Sequence, residues 1–418
     1  MNKSILVITS SFPRGKRDLA GHFVEQWCRA LVERGIEVDV LCWRGENAED
    51  RRVCPGLSAK FVPYAWSGAE QLFFGAGAPE NLARRPWRSL LAAPAMAAMA
   101  AAALRACGQK SYRAVVGHWM LPAGLIARSV GAMAGVRSLV VGHSGGVHLL
   151  GKLPEILGRQ MARWLTSGPT TVPTDALRQQ LVALGAADSV DVAPMGFSPG
   201  ADGKLVANTG SVLKLGFLGR LVPIKGLKTV IEAVKAVRTE GAEVELTVVG
   251  DGPCRREWEA TAGDGVEFVG ARYGTEKWAY IKQWEGFVMP SQPLDDGRHE
   301  GLPVSLLEAA SAGAVPLVSG VPGVEKWLVR PAEQVVKAGD VDAWSAKLRW
   351  LASLGKERHE LRQLSRRAVA PLAWPRYGRW WQQWLWDDRH KLPRSADAHP
   401  ENLKAPPFRR PKIDVGWD

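Results

Sequence analysis

Two carboxylates stand eight positions apart in an otherwise apolar stretch, EGLPVSLLEAASAGAVPLVSG, residues 300–320. An unpaired buried carboxylate is costly, so Glu300 and Glu308 must either reach water or meet a polar partner. Pro303 suits the first turn of a helix. That places Glu300 in the loop before the helix and Glu308 on its second turn, facing inward with its apolar neighbours. A helix start carries free N–H groups and partial positive charge, and so attracts an anion. Carboxylates accept hydrogen bonds from hydroxyls. A phosphorylated sugar offers both groups. The same spacing also fits a surface glutamate beside a partly buried, hydrogen-bonded one.

A second stretch supplies cations. GFLGRLVPIKGL, residues 216–227, lies between an apolar run and a helical pattern. Gly219 and Gly226 permit a tight turn. Arg220 and Lys225 then sit at the carboxyl edge of a strand, where Arg grips phosphate oxygens bidentately and Lys supplies a point charge. The bland alternative is two solvated surface cations. VVGDGPCRR, residues 248–256, reads as a strand-to-helix turn in which Asp251 closes an Asx turn.

The elements that must position these groups alternate along the chain. ILVITS (5–10), VDVLCW (38–43), AVVGHW (114–119), SLVVGH (138–143) and TTVP (170–173) read as strands, and FVEQWCRALVERG (23–35) as a helix closed by glycine. After a Gly/Pro/Ser-rich linker over 192–211, the pattern restarts. LKLGFLG (213–219), ELTVVGDG (245–252), VEFVG (266–270), GFVMPS (286–291) and VPLVSG (315–320) are strands, with helices around 229–241 and 275–283 and after Glu300. The expectation is an α/β chain with two Rossmann-like doubly wound domains facing a cleft, with ligand loops at the strands' carboxyl ends. The first domain spans 1–200 and the second 201–373. A Trp-rich helix over 374–390 crosses back to the first, and a Pro-rich polar tail at 391–418 is expected to be disordered.

Composition narrows the classes. The 418 residues carry a formal net charge of +12, and residues 1–200 hold 22 Lys+Arg against 14 Asp+Glu. A basic first half suits an anionic substrate or membrane surface. No nucleic-acid motif accompanies it, so nucleic acid ranks low. Five scattered cysteines without a CxxC pair indicate neither a zinc site nor a disulfide framework, which fits a reducing cytoplasm. The opening MNKSILVITSSFPRGKR reads as a first strand rather than a signal peptide. LLAAPAMAAMAAAALRAC (90–107) reads as a packed helix rather than a membrane span. No G-x-G-x-x-G follows the first strand, which argues against a nicotinamide dehydrogenase. Asp295-Asp296 reads as a loop before the helix rather than a metal-binding pair.

Taken in order, GRLVPIKG, VVGDGP, FVG, MPS and EGLPVSLLEAASAGAVPLVSG resemble the retaining glycosyltransferases of family 4. ITSSFPRGKRDLAGHFVEQWCRALVERGIEVDVL, GHWMLPAG and VVGHSGGVHLL are similar to that family's first half. The likeness covers roughly residues 3–385. It implies the GT-B fold and a nucleotide-diphosphate sugar donor held mostly by the second domain. Arg220 and Lys225 would contact the diphosphate, Glu300 the donor sugar and Glu308 the ribose. Backbone amides near Gly301, Leu302 and Pro303 would reach sugar or phosphate, and no metal or other cofactor is expected. His143 matches a histidine near the transferred sugar, although relatives carry an acid where this chain has Gly146. His118 and Trp119 read as structural. Gly21 fits the family's glycine loop, where Arg14, Lys16 and Arg17 meet an acceptor phosphate or form a solvated basic loop.

The resemblance implies a glycan or lipid-linked acceptor in bacterial surface polysaccharide or lipopolysaccharide assembly, with the enzyme cytoplasmic or peripheral on an anionic inner membrane. The tryptophans of 374–388 would suit membrane contact, but helix packing is favoured for most of them. The alternatives are a non-hydrolysing nucleotide-sugar epimerase and a catalytically silent sugar-nucleotide-binding protein.

Overall fold

The computed structural model describes residues 3–15, 18, 20–66, 68–73, 77–187, 189–200, 205, 211–294 and 299–386. Lys16, Arg17, the Asp295-Asp296 pair and the 391–418 tail lie outside them.

Two sheets organise the chain. The first contains β1 (Ser4–Thr9), β2 (Glu37–Trp43), β3 (Arg51–Cys54), β4 (Leu57–Val62), β5 (Ala114–His118), β6 (Arg137–Val141), β7 (Thr170–Val172) and β8 (Val190–Val192), in the order β3-β4-β2-β1-β5-β6-β7-β8. All its pairings are parallel except β3 with β4. The second contains β9 (Leu213–Leu218), β10 (Val244–Val249), β11 (Val266–Gly270), β12 (Gly286–Pro290) and β13 (Val315–Ser319), all parallel, in the order β11-β10-β9-β12-β13. These are the two Rossmann-like domains expected, with strand ends displaced by a residue or two.

Every residue of β1, β5, β12 and β13 is buried, because parallel strands are covered by helices on both faces. Strand alternation divides the first core. Ile5 and Val7 pack toward helix His22–Val32 through Trp27 and Leu31. Leu6 and Ile8 pack toward helix Ala92–Gln109 through Ala95, Met99 and Ala103. In the second domain Leu213, Leu215 and Phe217 pack with Val230, Ile231 and Val234 of helix Leu227–Thr239.

The strands β3, β4 and β8 were not expected. The β3–β4 hairpin turns at Pro55-Gly56 and adds the only antiparallel pairing among the described residues. Helix Trp374–Trp386 returns to the first domain. Leu372 O accepts from Phe197 N (3.2 Å), and Trp374 N donates to Phe197 O (3.0 Å). Trp374, Trp380, Trp381 and Trp384 are buried. Trp381 packs edge-on against Trp27 at 5.6 Å, and Trp384 Nε1 donates to Asp191 Oδ2 at 3.0 Å. Packing therefore accounts for these four rings, and none of them is available to a membrane.

Candidate active site

Helix Val304–Ser311 begins one residue after Pro303, which caps it with extended backbone rather than sitting within its first turn. Glu300 lies before the helix and Glu308 on its second turn, as their spacing suggests. Their partners were not foreseen in full. Lys225 Nζ stands 3.3 Å from Glu300 Oε1, with both side chains largely shielded. Glu308 is only 4% exposed, and Lys277 Nζ donates to both its oxygens at 2.7 and 2.8 Å. The buried carboxylate thus meets an ammonium from helix Gly274–Ile281, which corrects the expectation that donor hydroxyls alone satisfy it.

The cation loop folds as a turn between β9 and helix Leu227–Thr239. Gly226 has φ 57°, and a β-carbon there would meet Pro290 O at 2.1 Å, so only glycine lets the loop lie against the end of β12. This packing carries Lys225 back toward Glu300, while Arg220 remains exposed at the strand end. Asp251 is a turn residue: its Oδ1 accepts from Gly252 N at 2.8 Å.

Across the cleft, His143 caps helix Ser144–Gly151. The position a β-carbon would take on Gly301 is 3.6 Å from Ser144 Oγ and from Pro173 Cγ, so the segment Gly301-Leu302-Pro303 meets the first domain beside His143. Leu302 is buried in a cluster that joins both domains. Burial lowers the His143 pKa to about 3, which keeps the ring neutral. His118, fully buried, is lowered by burial and then by His143. Its Nδ1 lies 3.3 Å from His143 Nε2. Its Nε2 is buried with no hydrogen-bond partner among the described residues. We assign the unpartnered Nε2 as the bare lone-pair nitrogen. His118 Nδ1–H then donates to His143 Nε2, and His143 keeps its proton at Nδ1. In that state His143 is a neutral hydrogen-bond donor and not a proton acceptor.

Two further residues complete this wall. Trp119 holds φ 73°, strained for a residue with a side chain, and packs 4.8 Å from His143 and 5.6 Å from Phe23. His22 opens the helix after Gly21. Partial desolvation and then the charge on Lys277 lower its pKa, although its side chain stays open to solvent.

The glycine loop needs one correction, at Arg14. Gly21 has φ 69°, and a β-carbon there would strike Ser11 O at 2.0 Å. Glycine is therefore required there to close the loop that borders the cleft. Arg14 is buried rather than offered to an acceptor: its NH2 donates to Trp43 O at 3.4 Å, and NH1 is 3.6 Å from Asp18 Oδ2.

Lys277, His22 and Phe23 escaped the sequence reading, and Trp119 entered it only as structural. The signal available was a lysine in the helix that precedes β12 and a histidine directly after the loop glycine.

Residues 20–196 match the glycosyl transferase 4-like domain, and residues 213–353 match glycosyl transferases group 1. Among curated proteins, the amylovoran biosynthesis glycosyltransferase AmsK of Erwinia amylovora is 31% identical over 167 residues, which is 36% of this chain and 41% of AmsK. The chain thus matches about two-fifths of that relative's length. Among solved structures, Anabaena HepE in complex with UDP aligns with a TM-score of 0.65 at 11% identity, over 91% of this chain and 98% of HepE. The lipopolysaccharide outer core galactosyltransferase WaaB aligns at 0.63 and 13%, over 91% and 99%. The chain thus carries a region matching the glycosyl transferase 4-like domain followed by one matching glycosyl transferases group 1, on the two-domain GT-B fold of the solved structures.

Proposed function

We propose that the protein transfers a sugar from a nucleotide-diphosphate donor to a glycan or lipid-linked acceptor, with retention of configuration. The observation that carries this reading is the meeting of Lys225 with Glu300 just before the amino end of helix Val304–Ser311, beside neutral His143, with Arg220 exposed at the end of the neighbouring strand. In the transfer, the bond between the sugar's anomeric carbon and the diphosphate oxygen breaks, and one forms to the acceptor hydroxyl oxygen on the same face. The acceptor's proton leaves with the diphosphate. Arg220 and Lys225 offset the charge gathering on the leaving group, with the helix N–H groups adding to them. The Glu300 carboxylate faces the positive charge that develops on the sugar. His143 donates a hydrogen bond from Nδ1, and Glu308, oriented by Lys277, accepts from the ribose hydroxyls. In this reading the cations and helix terminus replace a metal, and activity survives EDTA.

The names of the relatives support a setting in surface polysaccharide or lipopolysaccharide synthesis, and in this reading the protein sits on the cytoplasmic side of the membrane. HepE, which shares the fold, supports a uridine nucleotide as the first donor to test. The experiment is a panel of UDP-, GDP- and ADP-sugars scored by thermal stabilisation and slow donor hydrolysis, with the anomer of the released sugar read by NMR. One class should stabilise the protein, as saturating ligand must by mass action, and yield a retained anomer. Stabilisation by none, or free epimerised nucleotide sugar, overturns the reading.

A further inference from the structure

The charge of this chain is not spread evenly. Residues 81–174 hold eleven Lys and Arg and a single acid, Glu155. That one segment carries most of the chain's net charge of +12. The exposed large apolar side chains are gathered in the same part of the fold. Trp66, Trp87, Leu90, Met133, Leu149, Ile156, Leu157, Trp164 and Val182 all belong to the first domain, and none of those described belongs to the second. Single exposed hydrophobics are ordinary, whereas a gathered set marks an interaction surface.

The fold places most of them on one helical layer. Helix Ala92–Gln109 packs beside helix Leu125–Ala134, which in turn contacts helix Glu155–Leu165, so the three cover one face of the first sheet. The first of these turns only Ala95, Met99 and Ala103 into the core. Its outer stripe is Ala93, Ala97, Ala101 and Arg105. The short turn that leads into it presents Arg84, Arg85, Trp87 (51% exposed) and Leu90 (78%). Met133, at the end of the middle helix, is 71% exposed. Helix Glu155–Leu165 buries Gly158, Ala162 and Leu165, and exposes Ile156 (75%), Gln160, Arg163 and Trp164 on the opposite stripe. Aromatic, aliphatic and arginine side chains on the outer stripe of a helix suit the boundary between lipid headgroups and acyl chains.

We propose that the outer face of this layer docks on an anionic phospholipid bilayer. The layer lies flat on the surface rather than crossing it, since the buried stripe of Ala92–Gln109 is held by the sheet. The exposed Arg84, Arg85, Arg105 and Arg163 meet the headgroups, and Trp87, Leu90, Ile156 and Trp164 enter the interface. The proposal deepens the membrane-side setting above and rests on it only for the purpose of docking. Helix Ser144–Gly151, capped by His143, packs against helix Glu155–Leu165, so docking would hold the acceptor side of the cleft close to a lipid-linked acceptor.

The test is co-sedimentation of the full chain with vesicles of phosphatidylcholine alone and of phosphatidylcholine with phosphatidylglycerol. Binding is expected to the anionic vesicles only and to weaken with salt. Each Lys or Arg near an anionic surface is worth about fivefold in partitioning, so Arg84→Glu with Arg85→Glu should lower binding by about 25-fold or more. Trp87→Ser with Leu90→Ser, and Ile156→Ser with Trp164→Ser, should each weaken it at unchanged charge. These side chains are exposed, and circular dichroism melts should match the parent. Lys282→Glu with Lys356→Glu, exposed on the second domain, makes the same change in net charge and should bind almost as the parent does. An equal loss in that control, equal binding to neutral vesicles, or undiminished binding by the face variants overturns the proposal. So does a dimer that the face variants dissociate while vesicle binding persists. Nucleoside diphosphate titration of the same variants should be unchanged. Its failure in the parent would sink the sugar-nucleotide reading and leave the docking face standing.

Discussion

Replacing Glu308 by Gln separates a nucleotide-binding role from a packing role. In the folded protein both Glu308 oxygens accept from Lys277 Nζ, at 2.7 and 2.8 Å, and the side chains are 5% and 15% exposed. Glutamine keeps the shape but removes the charge, which leaves an ammonium in a shielded cleft. Breaking a buried pair costs roughly 3–5 kcal/mol. Lys277 retains some solvent access and can swing outward, so the expected loss lies at or below the lower end of that range. A carboxylate oxygen has acceptor capacity beyond the one ammonium proton it receives, so Glu308 can hold Lys277 and ribose hydroxyls together. Loss of the charged hydrogen bond to the ribose costs about 1.5–3 kcal/mol, or roughly 10- to 150-fold in donor KM, with kcat little changed because that contact precedes and survives the chemical step. Thermal melts with and without nucleoside diphosphate, followed by steady-state kinetics, measure both parts. Reduced stability with unchanged donor KM would make Glu308 a packing residue. Unchanged stability as well would refute the ion pair itself.

Glu300→Ala should lower kcat by more than it raises donor KM, because its carboxylate acts where positive charge develops; steady-state kinetics decide it, and near-normal values for both refute the role. Arg220→Ala and Lys225→Ala should each weaken nucleoside diphosphate binding by about 1.5–3 kcal/mol, read by isothermal titration, and unchanged affinity in both removes the phosphate assignment. Asp191 has its pKa raised to about 6 by burial, against the opposing hydrogen bond from Trp384. An acid raised in the folded state favours folding while protonated, so stability should fall as pH rises from about 4 to 6 and then level. Asp191→Asn should abolish that slope and stabilise the protein above pH 6 by on the order of 1–2 kcal/mol after allowance for solvent access; melts across pH 4–8 check it, and a parallel slope in the variant refutes it.

The two-sheet architecture was legible in the sequence because buried parallel strands are short, β-branched and bounded by glycine, and these are local properties. ILVITS and VPLVSG carry that signal unaided. β3 did not, because RRVC is a charged edge strand whose pairing depends on the hairpin that follows it. The loop and helix start around Glu300 and the turn at Gly226 were legible for the same local reason. Pro and Gly restrict or release the backbone wherever they stand.

Partners were a different matter. Lys277 lies 31 positions from Glu308, and only the packing of two helices against the second sheet brings the ammonium to the carboxylate. Asp191 and Trp384 are 193 positions apart and meet because the last helix crosses back to the first domain. The neutrality of His143 follows from burial beside His118, which depends on two neighbouring strands ending together. The excess of arginine over acid in residues 81–174 can be counted in the sequence. Which stripe of Ala92–Gln109 faces outward, and that Met133 and Trp164 share its layer, depends on the sheet order. A chain sets the chemistry of each side chain, but long-range packing decides which of them meet and which stay exposed, and those distances appear only once the sheets have formed.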